Sequence, residues 1–246
     1  MSIVDFWSQN PCDAQADWSS RYAFRYAKEP WLVAELRRIG SQHREILEIG
    51  CGQGTDGIEI CRAMTVGSYI GVDYSPVSIA SAEQAASSAS PLPVTPRFEV
   101  GDSLQLDFED GRFDAVYSMG VLHHVADTDR ALREIHRVLK PNGVIYIALY
   151  NSTSPKVLAA RGLRKIQSEI DKISGRSLSL LQISRQFSQQ RFGTMLIECF
   201  GVPILKSYDH RGMRFLLSNF EIMRLQSIGR YRTFWIAEAR KPLLNE

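Results

Sequence analysis

From Arg44 to Leu149 the chain alternates short apolar runs with stretches of helical character. The runs are Ile46–Ile49, Tyr69–Val72, Arg97–Val100, Ala115–Ser118 and Gly143–Leu149, each short and rich in β-branched or aromatic side chains. Between them Asp56–Met64, Val77–Ser88 and Asp129–Leu139 read as helices. Such alternation predicts βαβ units on a parallel sheet covered on both faces. The stretch "LKPNG", Leu139 to Gly143, reads as a helix stop and a turn. Ahead of this core a helix is expected over Trp31–Ile39, preceded by an aromatic arm with Tyr22, Phe24 and Tyr26. Behind it, Leu163, Ile166, Ile170 and Ile173 recur at three- and four-residue spacing, which marks one face of a helix. A second amphipathic helix is expected over roughly Leu178 to Phe200. The tail returns to β character in Glu221–Gln226 and Thr233–Ala239, split by "SIGRYR", a hairpin turn. No internal repeat or low-complexity tract interrupts the pattern.

Composition adds limits. At 246 residues, 44% apolar and 23% charged, the chain reads as one decorated globular domain, or at most two. Cys12, Cys51, Cys61 and Cys199 form no CxxC pair, so reduced thiols in a cytoplasmic protein are the simplest expectation. The N-terminus carries acids early and has no apolar core of a signal peptide. The longest apolar run, Val144 to Tyr150, is too short to span a bilayer, so no membrane insertion is expected. A net charge of +2 points to no nucleic-acid partner, and no RNA-binding module is recognisable. Between Lys156 and Arg191, however, eight Lys or Arg face two acids. Either a solvated helix face or attraction of an anionic substrate or partner accounts for that.

The candidate chemistry begins at "ILEIGCGQGTDG", Ile46 to Gly57. Gly50, Gly52 and Gly54 let the backbone turn sharply after a strand and let a ligand approach the main chain. The carboxyl end of a strand at a topological switch point is where open α/β sheets bind ligands. No Gly-Lys-Ser/Thr follows, which excludes a nucleoside-triphosphate phosphate loop. A dinucleotide site is the closer rival, because Asp73 lies 19 residues after Gly54, at the spacing of a ribose-binding acid. Four features weigh against it. Glu48, two residues before the first glycine, is costly to bury unpaired, and an ammonium-bearing ligand without phosphates offers a partner. Gly101-Asp102-Ser103 offers a donor–acceptor pair for an adenine edge after the third strand. Phe113-Asp114 leads into the fourth strand with His123-His124 beyond it, and the chain ends in a hairpin instead of a second binding half.

Together "LEIGCGQG" (Leu47–Gly54), "GVDYS" (Gly71–Ser75), the Gly101–Val125 stretch and "LREIHRVLKPNGVIYIA" (Leu132–Ala148) resemble the class I S-adenosylmethionine-dependent methyltransferases. The last two look most like the branch containing ubiquinone/menaquinone C-methyltransferases and many natural-product methyltransferases. The resemblance implies an α/β, Rossmann-like, mainly parallel seven-stranded sheet with an antiparallel last strand, helices on both faces and an extra helical cap. It implies S-adenosyl-L-methionine as cofactor, with Gly50, Cys51, Gly52 and Gly54 against its methionine and ribose parts and Glu48 near its ammonium. Cys51 would fill space and not act as a nucleophile. Asp73 would take the ribose hydroxyls, Tyr74 would pack on the adenine, and Asp102 with Ser103 would meet the adenine edge. Ser118 and Met119 would line the methionine side.

The expected organisation is residues 1–43 as an aromatic arm and lid, 44–153 as the cofactor-binding core, 154–208 as a helical cap and 209–246 as a terminal helix and hairpin completing the sheet. The lid and cap would close an aromatic, partly basic pocket, with Tyr22, Tyr26, Tyr150 and His210 as substrate-lining candidates. Adjacent His123 and His124 cannot face the same way, so one of them is the candidate base for an acceptor that loses a proton. No metal-ligand spacing is present, so no metal is expected. The reaction expected is methyl transfer to a small organic acceptor, a specialised metabolite or quinone-like compound, at oxygen first. The rivals are an RNA or protein methyltransferase and a non-catalytic cofactor-binding scaffold. A homodimer through the cap helices is an open alternative to their packing on the core.

Overall fold

The computed structural model describes residues 3–10, 17–174, 202–229 and 231–243. In chain order the elements are α1 (Ile3–Gln9), α2 (Trp18–Lys28), α3 (Leu32–Gln42), β1 (Glu45–Ile49), α4 (Thr55–Ala63), β2 (Ser68–Asp73), α5 (Pro76–Ala89), β3 (Arg97–Val100), β4 (Phe113–Met119), α6 (Thr128–Val138), β5 (Leu139–Tyr150) and α7 (Pro155–Ser174). After them come α8 (His210–Leu216), β6 (Glu221–Ile228) and β7 (Phe234–Arg240). A short 3-10 turn, Leu122–His124, follows β4. The second amphipathic helix expected over 178–200 lies outside the described residues, as do Cys12 and Cys199.

The strands form one seven-stranded sheet in the order β3-β2-β1-β4-β5-β7-β6. The first five pair in parallel, while β7 runs antiparallel to both β5 and β6 between which it is inserted. The expected fold class and hairpin are therefore present. Successive residues of a strand face opposite sides, and β1 shows what that does here. Leu47 and Ile49 enter an apolar cluster with Leu132 and Ile135 of α6, Met213 of α8 and Leu217 just after it. Ile46 enters the opposite cluster with Leu36 and Ile39 of α3, Ile60 of α4 and Tyr69 of β2. Glu48 shares parity with Ile46 and is only 3% exposed. A carboxylate thus stands on the face covered by α3 and α4.

One expectation needs correction. "LKPNG" is not a turn outside the sheet: β5 begins at Leu139, which pairs with Phe113, and the ladder resumes at Val144 opposite Ala115. Asn142, with φ 62°, takes the left-handed conformation in this bulge. Its N–H donates to the Lys241 carbonyl, and the Lys241 N–H donates to Gly143. Pairing on both sides keeps the bulge in the strand. Phe113-Asp114 also serves the frame: the Asp114 carboxylate accepts from the Arg44 and Glu45 N–H groups and from Lys140, fixing the start of β1.

β1 is the switch point. The chain proceeds from it to β2 on one side and later to β4 on the other, leaving a crevice at the carboxyl ends of these strands. Helices α3 and α4 hold the crevice floor and pack closely through Gly40, where a β-carbon would sit 2.3 Å from the Ile60 carbonyl oxygen. No helix among the described residues is long and apolar enough to cross a membrane. Gly40→Ala is expected to destabilise the fold by about 1–3 kcal/mol through overpacking, read as a fall in urea midpoint; an unchanged midpoint would contradict this close approach.

Candidate functional site

The crevice holds a cavity of about 490 Å³. Its first wall is the loop after β1. The N–H groups of Gly50 and Cys51 both donate to the Val72 carbonyl, folding the loop back over β2. Gly50 has φ +73°, and a β-carbon there would fall 2.3 Å from a Val121 methyl, so both backbone freedom and space demand glycine. At Gly52, φ is +52° and its N–H donates to Oδ2 of Asp73 at 2.9 Å. The other carboxylate oxygen, Oδ1, accepts from the Ser75 N–H at 2.9 Å. Two backbone donors therefore fix the Asp73 carboxylate at the cavity wall. Burial raises its pKa while those two donors pull it back.

Further along, Asp102 turns the loop after β3 by accepting from the Leu104 N–H at 2.8 Å, and Ser103 lies beside it on the lining. Met119, Gly120 and Val121 close the opposite side at the end of β4. Trp7 of α1 and Ile204 cover the mouth together with His124. Trp7 packs against the His124 ring at a tilt of 56° with centroids 5.2 Å apart, and Ser8 bonds Ser75 at 2.9 Å, docking α1 against α5.

The floor is a buried polar network. Glu48 accepts a short hydrogen bond from the Tyr69 hydroxyl. Burial first, then the charge of nearby Asp56, push the Glu48 carboxyl up to about 8, while Tyr69 and Arg25 pull the other way. Asp56, 4% exposed at the start of α4, accepts from Tyr117 at 2.8 Å, from Tyr26 at 3.1 Å and from Arg25 through both oxygens. Arg25 and His124 are the basic residues among the described lining, against Glu48, Asp56, Asp73 and Asp102. A site so acidic suits a ligand with an ammonium and neutral hydroxyls better than a pyrophosphate.

Of the residues singled out in the sequence, Glu48, Gly50, Cys51, Gly52, Asp73, Tyr74, Asp102, Ser103, Met119 and His124 line this cavity. Gly54 stands behind the wall, its absent β-carbon making room for Ala82 and Phe98. Ser118 is buried in β4, donating to the Ile49 carbonyl. His123 is fully buried behind His124, its ring 3.8 Å from that of Tyr150 and its nitrogens without hydrogen-bond partners among the described residues. Burial holds it well below the usual histidine range. Tyr22 packs between Trp18 and Tyr26. Tyr26 is committed to Asp56 and Tyr150 to Phe234, and exposed His210 meets Trp235. These four lie outside the lining. Burial pushes the Cys51 thiol up, which suits a space-filler. Among the described lining acids outnumber basic residues and the cap segment contributes Ile204, while Arg176, Arg185 and Arg191 of the basic segment lie outside the described residues.

Sequence reasoning missed Asp56, Gln53, Thr55, Ser75 and Ser78, and Arg25 reaches the lining from α2. The available signal for Asp56 was an acid in the first turn of the helix that the glycine loop opens.

Residues 47–147 match a family model described as a methyltransferase domain. A norajmaline N-methyltransferase of Rauvolfia serpentina is 33% identical over 107 residues, covering 44% of this chain and 36% of that protein. A 2-phytyl-1,4-naphtoquinone methyltransferase of Nostoc punctiforme is 31% identical over 149 residues, covering 60% of this chain and 63% of that protein. Among solved structures, a magnesium protoporphyrin IX methyltransferase of Synechocystis PCC 6803 with bound S-adenosylhomocysteine superposes with a TM-score of 0.61 at 18% identity, covering 96% and 93% of the two chains. This last likeness is one of fold. The chain spans between 27% and 63% of the length of the curated relatives named first by similarity.

The Glu48 geometry carries a pH signature. Its folded pKa, about 8, lies above the ordinary value of 4.5, so the folded state keeps a proton that the unfolded state releases. Stability without ligand should therefore fall as pH rises from about 4.5 to about 8 and level off above. Glu48→Gln should flatten that slope in urea titrations run at a series of pH values; an equal slope in both proteins would remove Glu48 as its source.

Proposed function

From the match of residues 47–147 to a methyltransferase domain we propose that this chain is a class I S-adenosylmethionine-dependent methyltransferase and that it methylates a small organic acceptor. The observation that carries this reading is the acid-lined cavity in which two backbone N–H groups orient Asp73 and the buried Glu48 carboxyl stands at the floor. S-adenosylmethionine, when bound, supplies an electrophilic methyl group on a sulfonium. In our reading Asp73 holds the ribose hydroxyls, Asp102 and Ser103 the adenine edge, and Tyr74 the adenine face. Glu48 faces the ammonium and gives up its proton to do so, while Gly50 and Gly52 let the backbone approach. Arg25, already paired with Asp56, is the guanidinium on the lining that a ligand carboxylate would share. Cys51 and Met119 supply close packing. Support for the small acceptor comes from relatives whose names specify an alkaloid and a quinone substrate.

His124 is the residue we assign to proton removal. Its Nδ1 lies 2.8 Å from the Ile204 carbonyl, which can only accept, so Nδ1 carries the hydrogen. In the neutral ring Nε2 is then the basic nitrogen. Trp7 packs against the ring. His123 acts through its neighbour: packed against His124 with centroids 4.2 Å apart, it fixes the ring from behind without meeting the cavity. An acceptor that must lose a proton, a phenol or enol, matches this arrangement, which favours oxygen as the methylated atom. Helices α1 and α2 and the stretch around Ile204 form the cover, and the remaining demand on the site is alignment.

Two substitutions separate these roles. Asp73→Ala should weaken S-adenosylhomocysteine binding by about 10–100-fold, the worth of hydrogen bonds to a charged group, in calorimetric titration. His124→Gln should leave that affinity within about twofold but lower turnover of phenolic acceptors by about 100-fold in a labelled-methyl transfer assay over phenols, hydroquinones and amines. Undiminished turnover by His124→Gln would remove the base, and acceptance of RNA or protein with no small molecule accepted would overturn the acceptor class.

A further inference from the structure

The cavity divides by polarity. Its four carboxylates stand on β1, on α4 and at the ends of β2 and β3. The other part is built around the turn after β4, and the contacts of His124 define it. Trp7 packs against the His124 ring, the Ile204 carbonyl accepts from Nδ1, and Val121 and Val125 flank the histidine in the chain and on the lining. Val121 fills the space beside Gly50, so this apolar part adjoins the glycine loop. The cation closest to Ile204 in the chain, Lys206, is turned away from the lining. Its Nζ donates to the Ala126 carbonyl at 2.8 Å and to the Thr128 hydroxyl at 3.2 Å.

Trp7 is held in place from behind. Phe6, fully buried, meets the indole edge-on with centroids 5.0 Å apart, and Val202 joins the same small cluster. The next residue, Ser8, is tied to Ser75, so α1 cannot turn the indole away without breaking that bond. The Trp7 and His124 rings are inclined at 56° and do not stack on each other. The indole therefore keeps π-surface for a third ring, one whose rim can approach His124.

Three other kinds of acceptor fit this chemistry poorly. A carboxylate-bearing one finds no free counter-ion among the described lining residues, since Arg25 is paired with Asp56. An ammonium-bearing one would need acids, and those stand on other strands and on α4. A sugar-like one would leave most of its hydroxyls unpaired against Val121, Val125 and Ile204. A flat, uncharged aromatic with a single hydroxyl offers a face to Trp7, apolar edges to the valines and one proton to His124.

We propose that Trp7 is a specificity-determining residue for the acceptor, its indole selecting a flat, uncharged aromatic compound with one ionisable hydroxyl. This rests on the methyltransferase reading above and narrows its small organic acceptor to one chemical class. Trp7 binds the acceptor ring and takes no part in proton transfer.

The test is calorimetric titration of 2-naphthol and of 6-hydroxy-2-naphthoate into the full chain saturated with S-adenosylhomocysteine, using wild type, Trp7→Leu and Trp7→Phe. The wild-type complex is expected to bind 2-naphthol about tenfold or more tighter than the charged naphthoate. Trp7→Leu should weaken 2-naphthol binding by about tenfold, the worth of an aromatic contact beyond its burial, and Trp7→Phe should recover most of it. In methyl transfer to 2-naphthol, Trp7→Leu should raise KM more than it lowers kcat. No binding of 2-naphthol by the wild-type complex overturns the proposal. So does equal affinity for the naphthoate, or an affinity for 2-naphthol that Trp7→Leu leaves unchanged. A large fall in thermal midpoint for both variants, with no recovery by Trp7→Phe, would assign Trp7 to the packing of α1 instead. Wild-type protein that does not bind S-adenosylhomocysteine sinks the methyltransferase reading and this assignment with it. Binding of S-adenosylhomocysteine without binding of 2-naphthol is a failure of this assignment alone.

Discussion

The rest of the structure is organised around one buried carboxylate. Glu48 stands near the carboxyl end of β1, on the face covered by α3 and α4, where an isolated charge is costly. The fold meets that cost in two ways. Tyr69 of the neighbouring strand donates its hydroxyl, and burial lifts the acid enough to hold its proton near neutrality. A cationic ligand arriving above Glu48 changes the balance, because the ionised acid then has a partner. The alternation of glycines beyond Ile49 has a separate cause: Gly50, Gly52 and Gly54 all take positive φ, and Val121 packs where a β-carbon of Gly50 would stand, as Ala82 and Phe98 do at Gly54.

Asp56 is the second acid of the floor, and it ties the arm to the core. Its two oxygens collect Arg25 and Tyr26 from α2 and Tyr117 from β4. The N-terminal helices are therefore positioned by the site they cover, with α1 adding Trp7 over His124 and Ser8 against Ser75. Arg25 enters the cavity already paired, and a ligand carboxylate would compete with Asp56 for it. Cover and floor are one network, which explains why the arm is needed for a complete cavity.

Much of this was legible in the sequence, and for a local reason. Strand runs, helix stops and the residues at strand ends are written in contiguous stretches, so Glu48, Gly50, Asp73 and Asp102 could be picked out from their places after β1, β2 and β3. The unread parts depend on distance. Arg25 and Asp56 are 31 positions apart, and neither stands out alone. His123 and His124 could not be told apart by pattern, because only packing decides that one ring lies against Tyr150 and the other lines the cavity. The tyrosines of the arm suggested a lining, but a hydroxyl committed to Asp56 is part of the frame. Periodicity showed that α7 has an apolar face. It could not show that this face stays exposed.

The central claim is that the Glu48–Asp73 cavity receives the amino-acid and ribose parts of one phosphate-free nucleoside ligand. A crystal structure of the protein with S-adenosylhomocysteine tests it most directly. The account predicts both ribose hydroxyls on the Asp73 carboxylate, the ammonium over Glu48 and the adenine between Tyr74 and Asp102. A ligand bound in the reverse orientation, or outside this cavity, would contradict it.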